Sequence, residues 1–484
     1  MQDLKSFEHP ETQTKTVNGW IEGVENQGTI QFLGIPYAQA VERFVPAKPV
    51  KPWDGVFHAD HYGKISYQGT LFGQKSKNGP ENSNDCQNLN LWTPALDQKK
   101  RAVMVWLHGG GFSTGSANEA EYNGANLAKN QDVVVVGVNH RLNAFGFLNL
   151  SSFGAKYVKS ANVGMLDIVM ALQWIRDNIA DFGGDPTNVT VFGQSGGGCK
   201  CLVLMASPAA NGLFHKVIAE SAVTHKMGIT LTPASVTRKI GEKTVELLGL
   251  DAETIESIQS IEATKIIDAA YQARLAVGKE VGEKLVLSEE YGIEWEPSTQ
   301  TEFLPEGFFL PDGFTKNAPG VPLLMGSNFT EMNKWVPFLQ HTDPIVAENE
   351  SFAYAYPERP AGDIRYCDCF IRIPTLKVLL HRSLQETAPV YAYLFNQGQY
   401  PVHGSEIPYV FDQNKTPLAD QISQCWASFA KTGQPECDSI PGWDAFDKEN
   451  GACMILEDQS RLAFHHDTKL MEEFDPNFNF QAQK

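Results

Sequence analysis

Among the 484 residues, the first constellation able to do chemistry is Gly193-Gln194-Ser195-Gly196-Gly197, a Gly-x-Ser-x-Gly element. A serine in this setting becomes a nucleophile when a strand runs in, a helix runs out and small neighbours let a strained turn hold the hydroxyl exposed. The pattern alone is weak, because a chain of this composition yields roughly 0.2 matches by chance. It also occurs a second time, at Gly111-Phe112-Ser113-Thr114-Gly115. Context separates the two. Asn188-Val189-Thr190-Val191-Phe192 reads as a buried strand leading to Ser195, and Gly196 to Met205 can start a helix after it. Ser113 sits inside a glycine-rich loop with no apolar helical run behind it. Ser195 is therefore the candidate nucleophile.

That loop, His108-Gly109-Gly110-Gly111-Phe112, has a task of its own. Consecutive glycines let backbone N–H groups turn toward one point, which suits a developing oxyanion. A phosphate-binding turn would want Lys-Ser/Thr next, and none follows. With the N–H of Gly196, Gly110 and Gly111 make a candidate hole of three donors. A serine needs a base at neutral pH, and histidine has the pKa for it. In chains built around such an elbow, acid and base follow the nucleophile in that order. This leaves His215, His225, His341, His381, His403, His465 and His466 as bases. His403 lies in a turn-rich loop after a predicted strand at 390–395. For the acid, Glu331 follows a predicted strand at 321–326, with Asp312 and Asp343 competing. The local reading leaves both choices open.

These side chains need a scaffold. Ala102 to Leu107 and Val133 to Val138 are apolar without alternation, as expected of strands inside a sheet covered on both faces. Apolar positions between Leu166 and Ile179 recur with helical spacing, and Phe182-Gly183-Gly184-Asp185-Pro186 ends that helix. Strand, helix, strand with glycines at the junctions predicts an α/β class, with a large, mostly parallel sheet between helices. Residues 230–300 read as an amphipathic helical cap or lid within one domain spanning 1–484.

Composition narrows the function classes. A net charge of −18 argues against a nucleic-acid partner. No stretch reaches the length of a membrane span, and the first eight residues lack the apolar core of a secretory signal. Eight cysteines form no compact disulfide framework, so free thiols in the cytoplasm are expected. Cys199-Lys200-Cys201, Cys367-Asp368-Cys369 and His58-Ala59-Asp60-His61 lack zinc-type spacing, so no metal is expected. The first pair reads as core behind the nucleophile. No nucleotide fingerprint is present and no cofactor is implied; oligomeric state is not encoded in any pattern here.

Phe32-Leu33-Gly34-Ile35-Pro36-Tyr37-Ala38 with Arg43-Phe44, Asp85 to Leu91, Val138 to Leu142, Phe182 to Pro186 and Trp426 to Gly433 together resemble the type-B carboxylesterase family over nearly the whole chain. The resemblance implies an α/β-hydrolase fold, hydrolysis of small-molecule carboxylic esters, nucleophile Ser195, acid Glu331 and base His403. It also implies oxyanion donors Gly110, Gly111 and Gly196, with Gln194 and Ser221 beside the triad. Two further outcomes share the fold: acyl transfer through the same acyl-enzyme, and a non-catalytic binding protein, which the intact triad disfavours. The chain departs from the family pattern. Gln194 and Gly196 replace the usual Glu and Ala, which implies an altered pH dependence and a looser elbow. Cys86 has no upstream cysteine to pair with. No tryptophan lies between Leu71 and Asp85, where choline-ester hydrolases carry one, and the stretch from Glu331 to His403 is short.

Overall fold

Runs of valine, isoleucine and aromatic residues suit a pleated surface buried on both sides. The computed structural model describes residues 11–71, 74–222, 231–285, 290–307, 309–310, 313–314, 318–331, 371–398 and 400–474. Its largest sheet is built from β1 (Val24–Asn26), β2 (Thr29–Pro36), β3 (Asn88–Thr93), β4 (Arg101–Leu107), β5 (Val134–Val138), β6 (Gly184–Gln194), β7 (Lys216–Glu220), β8 (Leu323–Asn328), β9 (Val390–Phe395), β10 (Cys453–Leu456) and β11 (Arg461–Ala463). Among the described residues their order is β11-β10-β9-β8-β7-β6-β4-β5-β3-β2-β1. Neighbours from β5 to β10 run parallel, while β1, β2 and β3 at one edge and β11 at the other add antiparallel pairs.

The predicted strands are present, that at 390–395 with the same ends and the others with shifted ones. β6 begins at Gly184 rather than Asn188, because Pro186 does not stop it. The β4–β6 register jumps from Arg101↔Gly184 to Val103↔Val189, so the proline, which lacks an N–H, sits where the ladder is interrupted.

Alternation across the pleat sends side chains to two cores. Val103, Val105, Val191, Val217 and Ala219 face one core with α1 (Val163–Asn178), α2 (Gly196–Met205) and α5 (Ile373–Leu384), in which Ile168, Leu202 and Leu379 are buried. Met104, Trp106, Phe192 and Ile218 face the other, under Ile422, Trp426 and Phe429 of α7 (Pro417–Thr432). Within the 230–300 stretch, α3 (Ala234–Leu247) and α4 (Ala263–Val281) pack on each other. The four-residue α6 (Ile407–Val410) follows His403.

One ion pair ties α1 to the turn after β5. Arg141 and Asp167 have no solvent exposure, and the guanidinium Nε and Nη2 donate to the two carboxylate oxygens at 2.8 and 2.7 Å.

Candidate active site

Ser195 stands between the end of β6 and the first turn of α2, with φ 59° and ψ −126°. A non-glycine residue there is strained, and the surroundings hold it in place. Its N–H donates to the carbonyl of Glu220 on β7 at 2.8 Å. The motif glycines are required by space. A Cβ at Gly193 would lie 2.5 Å from the Leu107 carbonyl oxygen, and one at Gly197 1.9 Å from the same atom. At Gly196 a Cβ would meet Gly111 O at 2.3 Å and Gly111 Cα at 2.4 Å. The absence of a side chain at Gly196 makes room for the glycine loop.

Ser195, Gln194, Gly109, Gly110, Gly111, Gly196 and His403 line one cavity of about 260 Å³, walled further by Leu71, Tyr122, Trp295 and Ile407. Among the described residues the N–H groups of Gly110 and Gly111 donate to no protein acceptor. Gly196 occupies the first helical position, where an N–H has no partner within the helix.

His403 is held twice by one residue. Its N–H donates to the Glu331 carbonyl at 2.8 Å, and its Nδ1 lies 2.6 Å from Glu331 Oε2. A carboxylate at that distance calls for a proton on Nδ1, which leaves Nε2 of the neutral ring as the acceptor. Glu331 is fully buried and also accepts from Ser221 Oγ at 2.6 Å and Asn328 N at 2.8 Å. Burial pulls the His403 pKa down, yet the charge of Glu331 and its hydrogen bond outweigh that and hold it above the ordinary 6.5.

Two carboxylates that the sequence reading did not single out complete the surroundings. Glu406, on the same loop as His403, accepts from Asn328 Nδ2 at 2.8 Å, and Ser221 Oγ lies 3.4 Å from its Oε1. Burial and then the charge of Glu331 push its carboxyl up to about 7. Glu220 is buried and accepts from Trp426 Nε1 at 2.7 Å; burial and the charge of Glu406 raise it well above the usual range. Like charges this close oppose one another, which adds to burial in holding the Glu406 and Glu220 carboxyls above the usual carboxylate range. The negative charge acting on His403 comes from Glu331 and Glu406, although the residue before the nucleophile is a glutamine. Position in the motif was the available signal, since Glu406 is three residues past His403 and Glu220 precedes Ser221.

The competing candidates lie elsewhere. His215 Nδ1 accepts from Val189 N at 3.0 Å, away from the cavity. His381 lies on α5, and His465 and His466 follow β11. His225, His341, Asp312, Asp343, Cys367 and Cys369 lie outside the described residues. Ser113 is buried in the glycine loop, where its N–H donates to Gly110 O at 3.2 Å. His58 and His61 pair with Glu22 and Asp60, and no metal-ligating cluster occurs among the described residues.

The described cysteines, Cys86 among them, are thiols. No helix among the described residues is long and apolar enough to cross a membrane.

The profile of the carboxylesterase family matches residues 8–358 and 364–474. Para-nitrobenzyl esterase of Bacillus subtilis is 32% identical, over 92% of this chain and 94% of its own. Carboxylesterase 1C of Rattus norvegicus is 31% identical over 88% and 85%. Among solved structures, an esterase from Clostridium hathewayi described as hydrolysing aliphatic aromatic polyesters superposes with a TM-score of 0.81 at 33% identity, covering 96% of this chain and 98% of that one. A para-nitrobenzyl esterase structure gives a TM-score of 0.80 at 30% identity, with 96% and 99% covered. The chain therefore belongs to the carboxylesterase family, as an ester hydrolase of the α/β-hydrolase fold.

Proposed function

We propose that the chain hydrolyses small carboxylic esters through an acyl-enzyme, with Ser195 as nucleophile, His403 as base and Glu331 as the orienting acid. The observation that carries this is a strained serine sharing a cavity with a histidine whose far nitrogen is fixed by a buried carboxylate. His403 Nε2 takes the hydroxyl proton as Ser195 Oγ bonds to the ester carbonyl carbon. The electron pair moves to the carbonyl oxygen, where the N–H groups of Gly110, Gly111 and Gly196 receive it. As the pair returns, the bond to the alcohol breaks and His403 gives its proton to the departing oxygen. Water, deprotonated by the same imidazole, attacks the acyl group and releases the acid and Ser195.

The wall residues support small, neutral, partly apolar esters. Leu71, Tyr122, Trp295 and Ile407 offer apolar and aromatic surface around about 260 Å³. The stretch 230–300 serves as a cap in this reading: Glu294 to Glu296, beyond α4, reach the cavity. A cytoplasmic, reducing setting accords with the thiols and is tested by alkylating cysteines in unbroken cells.

Ser195→Ala is expected to lower p-nitrophenyl acetate turnover on the order of 10⁴-fold or more while folding is retained. A fluorophosphonate should label the wild type at Ser195 and leave the variant unlabelled. Substantial turnover by the variant, or labelling at another residue, overturns the assignment.

A further inference from the structure

The buried pair of cysteines behind the nucleophile encloses a lysine that the ester-hydrolysis steps leave unused. Lys200, five residues after Ser195 on α2, has no solvent exposure. An amine in a protein interior is costly unless its donors are taken up. Here Nζ donates to His108 O at 2.8 Å and to Gly111 O at 3.0 Å, and lies 5.4 Å from the centre of the Phe112 ring. Burial lowers its pKa to about 7. The α2 backbone comes close enough for this reach because residues 196 and 197 have no Cβ.

The two carbonyls it holds bracket the glycine loop. The remaining carbonyls there are also occupied. Gly109 O lies 2.9 Å from His108 Nδ1, and Gly110 O accepts from the N–H groups of Ser113 and Thr114 at 3.2 and 3.1 Å. Phe112 O accepts from Asn143 N at 2.7 Å, and Ser113 O from Gly69 N at 2.9 Å. Without Lys200, the carbonyls of residues 108 and 111 would lose these donors. A peptide unit is planar, so fixing a carbonyl fixes the direction of the following N–H. Lys200 thus pins the 108–109 and 111–112 planes. Between them lie the two planes that carry the Gly110 and Gly111 N–H groups, held from within the loop by the bonds to Gly109 O and Gly110 O. They hinge at glycines, which have the widest backbone freedom, so the flanking planes set by Lys200 complete their orientation.

We propose that Lys200 is a positioning residue for the oxyanion hole, acting through the backbone of residues 108–111 and not on the substrate. The proposal rests on the reading of Ser195 as nucleophile and of Gly110, Gly111 and Gly196 as donors. A lysine held only as core filler would be replaceable by an apolar side chain of equal length, whereas a lysine that sets donor directions would not.

Lys200→Met keeps the stem and removes the donors. Its kcat for p-nitrophenyl acetate should fall on the order of 10²-fold, the scale of one lost oxyanion donor. KM should stay within about threefold, because the ground-state carbonyl depends little on the hole. A trifluoromethyl ketone, whose adduct with Ser195 carries the oxyanion, should bind more weakly by the same factor as kcat/KM falls. End-point fluorophosphonate labelling should remain stoichiometric. A folded Lys200→Met with kcat within about twofold of wild type, or with unchanged ketone binding, overturns the proposal. Should Lys200→Met fail to fold, Lys200→Gln keeps a donor on a shorter stem and is read the same way, with parallel losses in kcat and ketone affinity supporting the proposal and unequal ones overturning it. Failure of the underlying reading is separate: the wild type itself would then go unlabelled at Ser195.

Discussion

At the scale of the residue, the site works by opposing burial with charge. Partial burial of His403 beside the cavity favours a neutral imidazole, while Glu331 and Glu406 favour the protonated one. Since the ring must be neutral to accept the serine proton, kcat/KM should fall on the acid side through a pKa above the ordinary 6.5. Glu331→Gln keeps the shape and removes the nearer charge. Burial is then opposed by Glu406 alone, so the acid limb should move to lower pH and kcat should drop on the order of 10²- to 10⁴-fold. A pH–rate profile of both proteins checks the direction, and an acid limb that stays in place would show that another group sets it. Gln194 brings no charge to this balance, and Glu406, on the same loop as His403, adds its own to that of Glu331.

At the scale of the element, the parts that were legible in the sequence are those written in consecutive residues. The β6–Ser195–α2 unit and the glycine loop after β4 each declare themselves within about ten positions, through apolar runs and the glycines that close approach demands. His403 and Glu331 stayed open among several candidates until the family resemblance chose between them. Each sits in a loop whose position depends on strands far away in the chain, β8 and β9, and no local pattern encodes that. Glu406 and Glu220 went unnoticed for a related reason: among 57 acidic residues in the chain, only their places beside His403 and Ser221 set them apart, and burial itself has no local mark. The Arg141–Asp167 pair belongs to the same class. It locks α1 to the turn after β5, and Gln87 Nε2 adds a further bond to Asp167 at 3.0 Å. Asp167→Ala would leave a guanidinium buried without its counter-charge, and a loss of about 3–5 kcal/mol is expected. Chemical denaturation measures it; a loss below about 1 kcal/mol, typical of exposed pairs, would mean that water reaches the arginine.

At the scale of the whole molecule, the excess of acid is felt at the cavity. Glu121, Glu294 and Glu296 are among its lining residues. Arg274 balances Glu294 at 2.9 Å, and Glu296 accepts from Thr232 N at 2.6 Å, whereas Glu121 is exposed. With a net charge of −18 behind them, these groups should slow capture of anionic substrates. A half-ester bearing a free carboxylate is expected to show a lower kcat/KM than its neutral amide analogue. The gap should narrow as salt shortens the screening length from about 30 Å at 0.01 M to about 3 Å at 1 M. A ratio that ignores ionic strength would locate the discrimination in contacts inside the cavity.

The double hold of Glu331 on His403 has a practical corollary. The backbone attachment must open before the amide hydrogen of residue 403 can leave for solvent. Deuterium uptake at that one position is thus a gauge, built into the protein and needing no substrate, of how often the strand-end loop carrying the base opens from the one carrying the acid.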